Sequence, residues 1–82
     1  METDDVMFPM RARIALMVLR RFGGSPALQR TVIRPIHDWI DAGMSGPVPW
    51  PRGSAAFDAW AAANGLVEDR GGIRRVEWDG AA

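Results

Sequence analysis

The chain has no cysteine. Disulfide scaffolds, cysteine-based zinc sites and thiol catalysis are therefore excluded. It has no lysine either, so all ten basic side chains are arginines. There is one histidine, His37. A metal site needs three or four ligands, and His37 with Asp41, four residues on, supplies at most two. The longest unbroken apolar run is Ile14 to Leu19, far short of the roughly 20 residues that cross a bilayer. The acidic start, Glu2, Asp4 and Asp5, is the reverse of a signal peptide, so a cytoplasmic location is the expectation. A Walker phosphate loop and a Gly-x-Gly-x-x-Gly turn are both absent. The few serines and the single histidine form no recognisable catalytic set, and no room exists for a substrate cleft between paired carboxylates. The expectation is a non-enzyme without metal or cofactor.

What is present is the composition of one folded domain: 82 residues, 48% hydrophobic, 24% charged and formally neutral. Neutrality argues against a protein that coats nucleic acid by bulk charge, and against an acidic DNA mimic. The average hides a segregation. Residues 1–10 hold Glu2, Asp4 and Asp5 without a base. Residues 11–36 hold Arg11, Arg13, Arg20, Arg21, Arg30 and Arg34 without an acid. Residues 37–69 are acidic again, with Arg52 as their only base. Arginine throughout fits GC-rich coding, as do the alanines. It also suits planar recognition of phosphate or carboxylate.

Pro9 suits the first turn of a helix, where its missing N–H costs nothing. Ile14, Val18 and Phe22 recur at helical spacing behind it, with Arg13 and Arg20 on the outer side. Gly23-Gly24 predicts the stop, and Ser25-Pro26 an N-cap and first position for a second helix toward Arg34. Pro35 predicts a kink or a fresh start, with Ile36, Trp39 and Ile40 on the next apolar face. Pro47, Pro49 and Pro51 predict an extended loop from Met44 to Gly53. Ser54 caps a further helix whose face is Phe57, Trp60, Ala61 and Asn64, ended by Gly65. Leu66–Asp69 and Ile73–Trp78 read as a β-hairpin turned by Gly71-Gly72. The expected organisation is an acidic tail (1–8), one helical domain with a C-terminal hairpin (9–79) and a frayed end (80–82). The fold class is mainly α with a C-terminal β-hairpin, built on three to four helices.

Trp39, Trp60 and Trp78 fall on apolar faces and read as core. Trp50, in Pro49-Trp50-Pro51, reads either as a clamp over the core or as an exposed anchor for a partner.

Ser25, Thr31-Val32, Trp39, Gly43-Met44, Pro47, Pro49, Arg52-Gly53 and Phe57 together resemble winged helix-turn-helix proteins of the excisionase and mercury-resistance-regulator type. The resemblance covers under half of the chain. It implies a small winged-helix-like DNA-binding protein, an accessory or regulatory factor from a phage or mobile element. It places Gln29, Arg30, Thr31 and Arg34 on the reading helix and Arg52 on the wing as a phosphate contact. Pro35 and the acids Asp38 and Asp41 depart from the pattern. Arg11, Arg13, Arg20 and Arg21 would add phosphate contacts. Duplex DNA is then the expected partner, engaged as a monomer or a homodimer. Ser54 to Trp78 also resembles a recognition helix and wing, but that helix offers Asp58 where phosphates would repel it, so the hairpin reads as a structural cap. The alternative is a protein-binding module, such as a phage-type inhibitor that occludes a larger complex, using Trp50, Arg30 and Arg34.

Overall fold

A computed structural model describes the backbone over residues 2–76 and the side chains from residue 10 onward. The fold is mainly helical with a C-terminal β-hairpin. Helix α1 spans Glu2–Phe22. A single 3-10 turn, Pro26–Leu28, and a π turn, Gln29–Ile33, lead into α2 at Arg34–Asp41. Strand β1 is Val48–Pro49, α3 is Ala55–Ala63, and β2 (Leu66–Asp69) and β3 (Gly72–Arg75) form the hairpin.

The first helix starts at Glu2, earlier than the expected start at Pro9. Pro9 removes one hydrogen bond, to the carbonyl of residue 5, without ending the helix. Burial runs along Ile14, Ala15, Val18 and Phe22. Gly23 closes α1 with its N–H on the Leu19 carbonyl at 2.7 Å, an approach that leaves no room for a Cβ.

The expected second helix is not one regular helix. Ser25 is extended, but its hydroxyl caps nothing. Pro35 explains the π turn. In a regular α-helix its ring would press on the carbonyl four residues back. Widening the preceding turn moves that carbonyl away, and the Arg34 N–H bonds five residues back to the Gln29 carbonyl. Pro35 itself sits in the first turn of α2, where no N–H is missed. Val32, Ile33, Ile36 and Trp39 line the inner side of this segment. The helix ends in a Schellman motif. Gly43 (φ +97°) donates to the Ile40 carbonyl, and the Met44 N–H to that of Trp39.

The proline loop contains a strand that its composition hides. Val48 pairs with Ile73 and Pro49 with Gly72, which makes an antiparallel sheet of order β1-β3-β2. Prolines are tolerated because β1 is the edge strand. The hairpin turn is also shifted by one residue. Arg70 (φ +57°) and Gly71 (φ +84°) supply the two left-handed positions of a tight turn. Gly72 is needed for another reason: a Cβ there would collide with Pro47 and stand 2.7 Å from the Val48 carbonyl oxygen. Glycine lets β1 lie against β3.

Helix α3 starts as its sequence dictates, with Phe57 N–H donating to Ser54 Oγ at 3.1 Å. Phe57 is fully buried at the centre of an aromatic group. Phe22, Trp50 and Trp60 each lie 5.3–5.7 Å from it or from one another, tilted or edge-on. Such contacts add about 0.5–1.5 kcal/mol each beyond area burial. Trp78 and the expected tail 80–82 lie outside the described residues.

Candidate nucleic-acid interface

The fold treats its arginines unequally. In the C-terminal half Arg52 pairs with Glu68 and Arg74 with Asp69 at 3.0 Å, while Arg70 forms no ion pair among the described residues. Among the described residues, Arg11, Arg13, Arg20, Arg21, Arg30 and Arg34 form no ion pair. Arg34 and Asp38 are one helical turn apart and do not pair. All six except the half-buried Arg11 are exposed. Among the described residues, the acid-free stretch of sequence thus stays uncompensated after folding.

These arginines do not form one continuous surface. Arg11 enters a cleft of about 140 Å³ between α1 and the hairpin tip, with Arg70, Arg74 and Asp69 on its rim and Ile14, Ile73 and Pro47 below. Arg13 and Arg20 rim a separate groove of about 310 Å³, floored by Met10, Leu16 and Met17 and bordered by Arg75 of β3. Arg30, Thr31 and Arg34 line neither. They occupy the exposed side of the π turn and the start of α2, opposite Val32, Ile33 and Ile36. Arg21 stands at the C-terminal end of α1 with its guanidinium 5.3 Å from the Phe22 ring centroid. A cation there also offsets the negative end of the helix dipole.

The end of α1 and the start of the π turn are tied together. Gln29 Nε2 donates to the Gly23 carbonyl at 2.7 Å. Gln29 is exposed, but its amide hydrogen caps α1, so it is occupied structurally and not presented as a base-reading group. The bond places the π turn, and with it Arg30, at the end of the helix that carries Arg20 and Arg21.

Two sequence expectations change. Arg52, expected as the wing contact, is exposed but neutralised by Glu68 of β2. Trp50, expected as a partner anchor in the protein-binding reading, is a half-buried clamp. Its ring meets Phe57 edge-on at 5.3 Å and its backbone N–H donates to the Gly71 carbonyl. The signal for that role was present in the flanking prolines, which bracket the ring just after the edge strand. The groove lined by Met10, Leu16 and Met17 has no sequence signal, because Leu16 lies within the apolar run Ile14 to Leu19 yet is 48% exposed.

His37 and Asp41 are exposed on α2, and no three His, Asp or Glu side chains cluster among the described residues. No helix among them is long and apolar enough to cross a membrane. No protein-family model matches the chain, and no curated protein or solved structure shows significant similarity to it.

Proposed function

We propose that this protein is a small, winged-helix-like DNA-binding factor of the accessory or regulatory kind. One observation carries the reading: the carboxylates that pair with arginine serve Arg52 and Arg74, while the six arginines of residues 11–34 keep their charge unpartnered among the described residues. Exposed guanidinium groups suit phosphate oxygens, which they bind with paired N–H donors. In this reading Arg21, Arg30 and Arg34 contact the backbone of a duplex. Thr31, exposed between the last two, reaches base edges. Asp38 and Asp41, farther along α2, set the limit of the contact by repelling phosphate. The protein works by occupying DNA, not by chemistry on it.

Fluorescence anisotropy with labelled duplex DNA tests this. Three phosphate contacts give log affinity against log salt a slope of about −3. Binding should weaken when Arg30 or Arg34 becomes alanine and stay unchanged in Arg52→Ala. A chain that binds duplex no better at low salt than a neutral control protein does not have this function.

A further inference from the structure

We infer that the cleft between α1 and the hairpin tip binds a small monocarboxylic acid that carries one apolar ring. None of Arg21, Arg30, Thr31 and Arg34 lines this cleft, so its role is separate from the proposed DNA contact.

Three segments far apart in sequence build the site. Arg11 and Ile14 come from α1, and Pro47 stands just before β1. Asp69 ends β2, Arg70 begins the turn, and Ile73 and Arg74 lie on β3. Gly72 admits Pro47 to the lining, since a Cβ at position 72 would collide with its ring. The floor is apolar: Ile14 and Ile73 are buried, and Pro47 completes it. The space of about 140 Å³ is close to the roughly 150 Å³ that takes one benzene ring.

The rim is cationic. Arg11, Arg70 and Arg74 face a single acid, Asp69, and Arg74 holds that acid at 3.0 Å. Arg11 and Arg70 form no ion pair among the described residues. Arg11 is also the one half-buried arginine of the six in residues 11–34. A guanidinium partly stripped of water gains more from an anion than an exposed one does.

Arg70 supplies an independent observation. Its backbone is left-handed, with φ +57°, at a turn position that glycine or asparagine takes without strain. Arginine there costs backbone energy, and no carboxylate among the described residues pairs with it in return. Strain of this kind gathers at ligand sites. The Arg70 side chain lines the cleft.

The chemistry of the occupant follows from the lining. A planar carboxylate matches the guanidinium fork, accepting two parallel N–H donors. Asp69 on the same rim repels a dianion more than a monoanion. An inorganic anion would leave the floor of Ile14 and Ile73 unfilled. A peptide C-terminus also ends in a carboxylate, but it brings an amide N–H that needs an acceptor. Asp69 is the sole acceptor among the lining side chains, and Arg74 already engages it. A free acid has no such N–H.

An amide NMR titration of the full chain with benzoate at low salt is the test. The expected result is saturable shifts at Ile14, Gly71 and Ile73, with a dissociation constant on the order of 1 mM. Benzamide keeps the shape without the charge, and acetate keeps the charge without the ring. Each should bind about tenfold more weakly. Arg11→Gln should weaken benzoate binding about tenfold, the worth of one charge-assisted hydrogen bond. Arg70→Asn should weaken it by a similar factor while the melting temperature holds or rises, because asparagine accepts the left-handed backbone. An arginine with a purely structural task would give the opposite pattern. Arg30→Ala should leave benzoate affinity unchanged, which separates this result from the fate of DNA binding. Absence of a saturable shift with benzoate overturns the inference. So does benzamide or inorganic phosphate binding as tightly as benzoate, or full affinity in either Arg11→Gln or Arg70→Asn. Binding of a peptide ending in phenylalanine by a chain that ignores benzoate assigns the cleft to a chain terminus and likewise overturns it.

Discussion

Gln29 closes the end of α1 by donating its side-chain amide to the Gly23 carbonyl at 2.7 Å. The contact spans six residues and fixes where the π turn leaves the helix. It explains why a residue that sequence places among DNA-reading groups has a structural task. Gln29→Glu removes the donor and adds a negative charge beside the negative end of α1. Stability should fall by about 1 kcal/mol, the usual worth of one hydrogen bond. Urea denaturation with an unchanged slope would show it; an unaltered midpoint would deny the contact its role.

Phe57 is the residue on which the aromatic group depends, meeting Phe22, Trp50 and Trp60. Phe57→Ala leaves a cavity between α1, α3 and the loop, and should cost about 3–5 kcal/mol. In a small domain that is a large share of the total stability. Thermal unfolding followed by tryptophan fluorescence reports it directly, since Trp50 and Trp60 lose their neighbour.

Gly72 tests the strand that composition conceals. Alanine there collides with Pro47 and the Val48 carbonyl. Gly72→Ala should separate β1 from β3 and lower stability, whereas Gly24→Ala, where a Cβ meets nothing, should not. Amide exchange at Trp50, whose N–H bonds to the Gly71 carbonyl, should accelerate in the first variant alone.

The contrast among arginines gives the fourth expectation. Arg52→Ala breaks an exposed pair with Glu68 and should change stability by under about 1 kcal/mol. DNA affinity should not change. Arg30→Ala combined with Arg34→Ala should reduce affinity and flatten the salt slope by about 2, with the unfolding midpoint preserved. Loss of affinity in Arg52→Ala with none in the double variant would place the contact on the hairpin side.

Much of the fold is legible in the residues. The inward stripe of α1, the Ser54 cap, the Gly65 stop and the two hairpin strands follow from spacing and turn chemistry, which act within a few residues. The acid-free run from Arg11 to Arg34 is equally plain. What spacing misreads are the places where distant segments meet. Val48–Pro49 becomes a strand only because Gly72 admits it. Trp50 packs over the core only because Phe57 lies beneath it. The second helix widens into a π turn because Pro35 must clear the turn before it.

Sequence by itself determined which residues carry charge, which face of each helix is apolar and where the chain turns, because those depend on local geometry and solvation. Only the tertiary structure decided which arginines keep their charge. Glu68 and Asp69 lie on β2, where the sheet brings them to Arg52 and Arg74 and to none of the six arginines of residues 11–34. Ion pairing needs atoms within a few ångströms, and that distance is set by packing, not by order along the chain.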